Sequence, residues 1–204
     1  GRYGDEEAAE NAYRAEPKAA APVFEKPAFL AGKTGLSGAE RGTALHAALQ
    51  FIDLKKCGSL AEIRAEIERM ERAGLLTKKQ AEAVSAQKLH RFFSSDTGAI
   101  LRAADDVKRE FKFLLLVPAE EFYPECTDEK ILLQGVVDCC AERDDKLTII
   151  DYKTDYVDEN NLEEKVRQYR GQLKVYERAM REITGKRVER RVLYFFSKGV
   201  GIEV

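Results

Sequence analysis

Two aspartates and a lysine stand close together between residues 132 and 155. Asp138 belongs to one strand-like run, and Asp151 and Lys153 belong to the next, with a short polar turn between the runs. Residues two apart in a strand share a face, so Asp151 and Lys153 project together, and a hairpin can bring Asp138 beside them. Two carboxylates can hold a hard divalent cation on a phosphodiester, while a lysine orients a water and offsets developing charge. The pattern predicts metal-dependent phosphodiester hydrolysis.

A simpler interpretation of the same residues is structural. Asp138 and Asp151 could be acids at strand ends with Lys153 as their ion-pair partner, since short Asp-x-Lys strings are common. The apolar run LTII at residues 147–150 favours the chemical interpretation, because it is typical of a strand buried on both faces. A charged aspartate at the end of such a strand is costly unless it is paired or binds a metal.

Histidine, glutamine and tyrosine side chains could complete the site. His46 lies one position off the apolar stripe of a predicted helix, and it is either a third metal ligand or phosphate contact, or a histidine that packs at the helix flank. Gln172 lies beside the stripe of a later helix, with Tyr169 and Tyr176 one turn to either side. These three either line the site and contact DNA, or the tyrosines belong to the core. His90 has no such context and is interpreted as structural.

Strands must position the two aspartates. Three strands are predicted at residues 107–117, 131–142 and 146–153, and the polar turn at 143–146 indicates an antiparallel hairpin between the second and third. A final buried strand is predicted at 188–196, with residues 202–204 pairing back on it. The first strand should place four apolar residues on one face: Val107, Phe111, Phe113 and Leu115.

Helices are predicted both before and after these first three strands in the chain. Capping-box spacing at Ser37 and Glu40 indicates a helix that runs to about residue 52, and a second helix should end at Gly74. A third, capped by Thr77, should run unbroken to about residue 93, and a short fourth should cover residues 98–104. Asn161 and Glu164 are predicted to cap a long helix ended by Gly185, whose apolar residues repeat every three or four positions.

This order of elements predicts an α/β domain with a mixed central sheet and a helical N-terminal layer. Residues 1–36 are rich in Ala, Glu and Pro, which predicts a linker or arm, and residues 37–204 should form the domain. The string GKT at 32–34 resembles the end of a nucleotide-binding loop. Pro27 stands where that loop needs glycine and no strand precedes it, so we expect no ATP site on this chain.

Composition restricts the class of protein. The 204 residues are 44% hydrophobic and 34% charged with a net charge of −2, as in ordinary soluble domains. No apolar run approaches the roughly 20 residues that span a bilayer, and no signal peptide is visible, so we expect a cytoplasmic protein without a membrane partner. The four cysteines form no CxxC pair, which argues against a zinc ribbon or an iron–sulfur cluster.

Four short motifs together resemble a known family. They are GTALH at 42–46, QGVVD at 134–138, DYKT at 151–154, and the group Tyr169, Gln172 and Tyr176. Their order resembles that of the RecB-type nucleases of the PD-(D/E)XK superfamily. Residues 36–54 are most similar to the C-terminal nuclease domain of AddA-type helicase–nuclease subunits. The resemblance covers residues 36–196, and it is the combination of motifs rather than any one of them that is specific.

The resemblance implies a restriction-endonuclease-like core and roles for named residues. It implies metal ligation by four groups: His46, Asp138, Asp151 and the backbone carbonyl of Tyr152. It also implies a catalytic role for Lys153 and a site-closing role for Gln172 and Tyr176, with Tyr169 beside them. The metal would be Mg²⁺, with Mn²⁺ able to substitute.

The resemblance further implies cleavage of single-stranded DNA, on the 3′-terminated strand, during recombinational repair of double-strand breaks. The implied partners are a helicase motor and an AddB-type subunit. No Walker motif occurs, so the chain is either an excised domain or a standalone relative. Two alternatives stay open from the residues alone: a catalytically silent module that binds DNA or a partner, and a metal phosphoesterase of small nucleotides.

Overall fold

The computed structural model describes residues 36–121 and 123–204. The arm predicted for residues 1–36 lies outside them except for Leu36, as does the GKT string at 32–34. The boundary between arm and domain therefore stays a prediction.

Five helices precede the sheet and form the N-terminal helical layer. They are α1 (Gly38–Phe51), α2 (Leu60–Arg72), α3 (Lys78–Ala83), α4 (Ala86–Phe93) and α5 (Asp96–Arg102), with a 3-10 turn at Leu54–Lys56. The predicted capping box at Ser37 and Glu40 is confirmed, because each residue's side chain accepts a hydrogen bond from the other's backbone N–H. Gly74 follows α2 with a φ of 70°, as expected of a helix-ending glycine.

Five strands form one mixed sheet. They are β1 (Asp106–Pro118), β2 (Lys130–Arg143), β3 (Lys146–Lys153), β4 (Arg187–Phe195) and β5 (Val200–Glu203), with a 3-10 turn at Ala119–Glu121 after β1. They lie in the order β1-β2-β3-β4-β5, and only the β3–β4 pair is parallel. The long helix α6 (Leu162–Thr184) makes the crossover between those two strands. The predicted α/β class, mixed sheet and helical N-terminal layer are confirmed.

The β2–β3 hairpin forms where the sequence predicts it. Asp144 and Asp145 occupy its two central turn positions with φ values of 51° and 61°. Positive φ at both positions is the geometry of a two-residue turn whose twist matches the strands it joins, and aspartate tolerates it better than most residues.

Two hydrophobic clusters sandwich the sheet. The first packs α1 to α5 against one face and contains Leu45, Phe92, Ile150 and Tyr194. The second packs α6 against the other face and contains Val137, Ile149, Leu173 and Leu193. Among the described residues, no helix combines the length and the apolar character that crossing a bilayer would need.

Two helix predictions are wrong in detail. The helix expected to run from Thr77 to about residue 93 is broken at Val84 and Ser85, because the Ser85 hydroxyl accepts a hydrogen bond from the Lys88 N–H and begins α4 there. Asn161 precedes α6 but makes no side-chain cap. Its carbonyl oxygen Oδ1 instead accepts from the Asp158 N–H at 2.9 Å.

The face predicted for β1 is also wrong. Val107 packs against the first cluster, whereas Phe111, Phe113 and Leu115 belong to the second. Glu110, between them, has a φ of 51°. A residue in this left-handed region turns the chain and interrupts the strict alternation of side chains. The strand therefore changes faces at Glu110.

Candidate active site

Strand pairing brings three acidic residues side by side. The β1–β2 pairing skips Glu110 and Asp138, which face each other between the pairs on either side. In the β2–β3 ladder, Asp151 is the next position opposite Asp138 once the regular pairing stops. Residues opposite each other on neighbouring strands have side chains a few ångströms apart. The sheet therefore concentrates three carboxylates across its three neighbouring strands.

His46 reaches this row from α1. Its Nδ1 lies 3.6 Å from Asp138 Oδ1 and 3.8 Å from Glu110 Oε1. One potential ligand atom from each of these three residues lies within 4.8 Å of the other two. The His46 ring also stands edge-on to the Tyr152 ring, with centroids 5.9 Å apart. His46 is thus half-buried in the position that the sequence predicts for a third ligand.

Arg109 fastens α1 to the strand that carries Glu110. Its Nη1 donates to the carbonyl oxygens of Leu49 and Ile52 at 3.2 and 2.7 Å, at the C-terminal end of α1. Carbonyls at the end of a helix lack partners within the helix, so a guanidinium there satisfies them. These two hydrogen bonds form the Arg109 clamp. Because Glu110 follows Arg109 in the chain, the clamp fixes the position of His46 relative to Glu110.

The backbone of Tyr152 orients Asp138. The Tyr152 N–H donates to Asp138 Oδ2 at 2.7 Å, which takes the place of a regular hydrogen bond between β2 and β3. The Tyr152 ring packs into the first cluster, edge-on to Phe92. Tyr152 is therefore part of the site through its main chain. Its carbonyl as a metal ligand stays a prediction.

Asp151 and Lys153 form a close ion pair beside the cluster. Asp151 is 1% exposed, and its Oδ2 lies 2.6 Å from Lys153 Nζ. No further hydrogen-bond partner of this buried oxygen occurs among the described residues. Lys153 Nζ also donates to Gln172 Oε1 at 3.0 Å and lies 3.9 Å from the centroid of the Tyr169 ring.

Polar residues of helix α6 lie on this side of the candidate site. Gln172 Nε2 donates to the Tyr176 hydroxyl at 2.5 Å, so Gln172 links Tyr176 to Lys153. The Tyr169 hydroxyl donates to Asp155 Oδ2 at 2.8 Å, which ties the segment after β3 to the helix. Tyr176 is buried in the second cluster and Tyr169 packs at its edge, so both tyrosines serve the core as well.

Burial and mutual repulsion change the acidity of these groups. Burial, followed by the charge of Asp138, raises the pKa of Asp151 to about 6, although Lys153 and His46 oppose the change. Burial and the Asp138 charge likewise raise the pKa of Glu110. Burial by itself lowers the pKa of His46, but the neighbouring carboxylates outweigh it and the pKa is raised. Carboxylates that resist ionisation together are typical of functional sites.

The donor set fits a hard divalent cation. Three carboxylates and one ammonium leave two negative charges in a largely buried place, and a divalent cation would neutralise both. Carboxylate oxygens with one imidazole nitrogen suit Mg²⁺ or Mn²⁺ better than a soft metal. Asp151 Oδ2, whose neighbour is the Lys153 ammonium, is a further donor within the site. The residues present thus fit the predicted metal.

The structure adds one residue that the sequence prediction missed. Glu110 was overlooked because regular alternation assigns it to the face opposite Phe111, and because a long connection between β1 and β2 leaves their register open. The string REF at 109–111, an acid within an apolar strand, is a signal that could have drawn attention to it. His90 lies on α4, and its structural interpretation stays a prediction.

Comparison with known proteins gives the family. The profile of the PD-(D/E)XK nuclease superfamily matches residues 23–202. The chain is 36% identical over 184 residues to an ATP-dependent helicase/nuclease subunit of Clostridium kluyveri (strain ATCC 8527), covering 87% of this chain and 15% of that protein. It is 39% identical over 187 residues to the protein of the same name from Ruminiclostridium cellulolyticum, covering 89% and 15%.

A third relative has a similar identity and coverage. The ATP-dependent helicase/nuclease subunit of the same name from Thermoanaerobacter sp. (strain X514) is 38% identical over 181 residues, again with 87% of this chain and 15% of that protein covered. The chain thus spans about 15% of the length of these relatives. A solved structure described as the crystal structure of SSO0001 superposes with a TM-score of 0.38 at 12% identity over 81% of this chain and 74% of that one, too low to carry an argument. The chain belongs to the PD-(D/E)XK nuclease superfamily.

Proposed function

We propose that the domain is a metal-dependent deoxyribonuclease that cleaves single-stranded DNA and uses Mg²⁺, with Mn²⁺ able to substitute. The observation that carries the proposal is the cluster of His46, Glu110 and Asp138 with Asp151 and Lys153 directly beside it. These are the residue types that phosphodiester hydrolysis requires.

The cation would be held by the side chains that already converge. His46 and Asp138 would each offer one ligand atom, Glu110 would add an oxygen from β1, and Asp151 would add one from β3. When bound, a divalent cation neutralises charge on the scissile phosphate and makes a bound water more acidic. The carbonyl of Tyr152 is a further ligand in this proposal.

Lys153 would act on the reacting atoms directly. Its ammonium is held between the Asp151 carboxylate and Gln172 Oε1, so little freedom remains to be lost when substrate arrives. From there it can donate to a phosphate oxygen as negative charge develops, or orient the attacking water. Gln172 and Tyr176 are positioning residues in this scheme, since they reach the chemistry only through Lys153.

A larger assembly completes the proposal. The relatives are named as ATP-dependent helicase/nuclease subunits, and this chain corresponds to a small part of each. We therefore propose that the domain works in the cytoplasm with a helicase motor and an AddB-type subunit. It would degrade the 3′-terminated strand during recombinational repair of double-strand breaks. The boundary of the nuclease domain at residue 37 belongs to the same proposal.

The test is cleavage of a labelled single-stranded oligonucleotide by the whole chain. We expect cleavage with Mg²⁺ or Mn²⁺ and none with excess EDTA. Asp138→Asn should slow cleavage at least about 100-fold, because losing a direct ligand should cost no less than losing an outer partner of a metal site. Asp128→Asn is the matched control, since Asp128 is an exposed acid outside the site. Labels on either end give the polarity.

Other outcomes would select another function. Binding of the oligonucleotide without cleavage, with either metal, would refute the nuclease and identify a silent DNA-binding module. Faster cleavage of a dinucleotide than of an oligonucleotide would identify a phosphoesterase of small nucleotides. Cleavage by Asp138→Asn at the wild-type rate would refute the site assignment.

A further inference from the structure

A cavity of mixed polar and apolar lining lies near the carboxylate site. It has a volume of about 280 Å³ and lies between the first half of α1, the link between α3 and α4, and the segment that follows β3. Gly42 and Thr154 meet in its wall, where a Cβ on Gly42 would lie 3.0 Å from Thr154 Oγ1. Thr154 directly follows Lys153, and Gly42 is one helical turn before His46. Gly42 in the cavity wall is therefore about 6 Å along α1 from His46.

The charge of the cavity differs from that of the whole chain. Among its lining residues Arg41 and Lys88 are basic, and none is acidic. Both side chains are exposed, and neither forms an ion pair with another residue in the described part of the chain. The nearby Glu40 carboxylate is already used, because it accepts the Ser37 N–H. A cavity with two cations that pair with no described acid, in a chain of net charge −2, favours an anionic ligand.

An aromatic ring stands at the same cavity. Tyr156 lines it and is 75% exposed, more than any other large hydrophobic residue in the described part of the chain. Its neighbours on both sides are anchored: Asp155 accepts from the Tyr169 hydroxyl, and the Val157 N–H donates to Ser197 Oγ at 3.1 Å. The ring is thus presented to solvent from a fixed backbone, which lowers the entropic cost of binding on it.

Proteins hold a single nucleic-acid strand by two features: cations that contact its phosphates and exposed aromatic rings that stack on its bases. This cavity has both kinds of residue. We propose that single-stranded DNA leaves the carboxylate site through this cavity. Arg41 and Lys88 contact the backbone phosphates next to the scissile one, and Tyr156 stacks on a base. This inference rests on the proposed nuclease function, and it assigns the cavity as the binding site for the part of the strand that is not cut.

Strand binding without cleavage tests the cavity directly. The probe is a fluorescein-labelled oligo-dT titrated with the whole chain in EDTA, where no turnover is expected. Tyr156→Ala should weaken binding about tenfold, the usual loss when a stacking ring is removed. The double variant Arg41→Ala/Lys88→Ala should reduce the slope of log affinity against log salt by about 1.4, which corresponds to about 0.7 for each phosphate contact in single strands.

Matched controls separate the cavity from general effects of charge and aromaticity. Tyr123→Ala removes a ring that is 52% exposed elsewhere, and Arg64→Ala/Lys130→Ala removes two exposed cations outside the cavity. Both controls should bind like the wild type. All variants change exposed side chains, so their thermal unfolding should match that of the wild type and exclude misfolding as the cause.

The outcomes distinguish this inference from the proposed function. If the wild type cleaves the strand but the cavity variants bind like the controls, the cavity assignment is overturned and the nuclease stands. If the wild type does not cleave, while binding depends on Tyr156 and the two cations, the cavity assignment stands and the nuclease fails. Oligo-aspartate, added at the same concentration of negative charges as the oligo-dT, serves as a competitor. If it displaces the oligo-dT, the cavity is a site for acidic peptide and the assignment to DNA is overturned.

Discussion

Replacing Asp151 by Asn should stabilise the metal-free domain. Asp151 is buried beside Asp138, and burial followed by that charge raises its pKa to about 6. In the unfolded chain an aspartate titrates near about 3.9. Between these two values the folded state binds more protons than the unfolded state, so this group's contribution to stability falls as the pH rises through the window.

The size of the effect follows from the two pKa values. A pKa difference of about two units corresponds to about 3 kcal/mol in the free energy of unfolding. At neutral pH the whole of this contribution is lost. Asp151→Asn keeps the size of the side chain and removes the charge, while Lys153 keeps its hydrogen bond to Gln172. We therefore expect the variant to be about 3 kcal/mol more stable than the wild type at about pH 7. The variant and the wild type should have equal free energies of unfolding at about pH 4. For a chain of this size the gain corresponds to roughly 6–12 °C in Tm.

The assay is urea unfolding followed by circular dichroism, because the chain contains no tryptophan. It is run in EDTA across the pH window, with Asp128→Asn as a control that should behave like the wild type. Added Mn²⁺ should then stabilise the wild type and narrow its difference from the Asp151 variant, since a cation that binds only the folded state shifts the equilibrium. A variant no more stable than the wild type at about pH 7 would refute the reasoning. It would mean that the Lys153 ion pair fully offsets the cost of burying the carboxylate.

Three further predictions concern other parts of the molecule. Glu110→Gln should weaken Mn²⁺ binding at least about tenfold in a calorimetric titration, because it removes one charged donor from the cluster. Gly135→Ala should lower the free energy of unfolding by about 1–3 kcal/mol in urea, because its Cβ would lie 2.7 Å from Phe113 Cζ. A thiol reagent should react quickly with only one of the four cysteines of the native protein, the half-exposed Cys126. Burial keeps the other three inaccessible and raises the pKa of each to about 12.

Each of these predictions has a contrary result. Unchanged Mn²⁺ affinity would exclude Glu110 from the metal site. Wild-type stability of Gly135→Ala would show that the Phe113 ring can move aside without cost. Fast reaction of Cys139 or Cys140 would mean that the sheet around them opens readily, and fast reaction of Cys57 would mean the same of the helical layer; the burial of all three argues against both.

Local signals explain why most elements could be predicted from the sequence. The capping box at Ser37 and the turn at Asp144 and Asp145 depend on residues within four positions of each other, and both form as expected. The break at Ser85 is also local, but the apolar periodicity continues across it and hides it. His46, Asp138, Asp151 and Lys153 could be singled out by residue type, and the structure brings all four together.

Non-local geometry explains why Glu110 and the cavity at Tyr156 could not be predicted from the sequence. Glu110 joins the cluster only because its backbone is left-handed, a conformation that glutamate seldom adopts and that no neighbouring residue signals. The closeness of Glu110 to Asp138 depends on the register of β1 and β2, which the connection between them does not determine. The cavity at Tyr156 likewise joins segments from α1, α4 and the end of β3, far apart in the chain.

The change of faces at Glu110 has a consequence for protein engineering. Transplanting His46, Asp138 and Asp151 onto a regular designed sheet would leave the third carboxylate, that of Glu110, pointing into the wrong layer, because an ideal strand keeps strict alternation. A designer would have to copy the irregular backbone at Glu110 together with the Arg109 clamp that holds it against α1. In this scaffold the transferable unit is a distorted strand and its support, rather than a list of ligands.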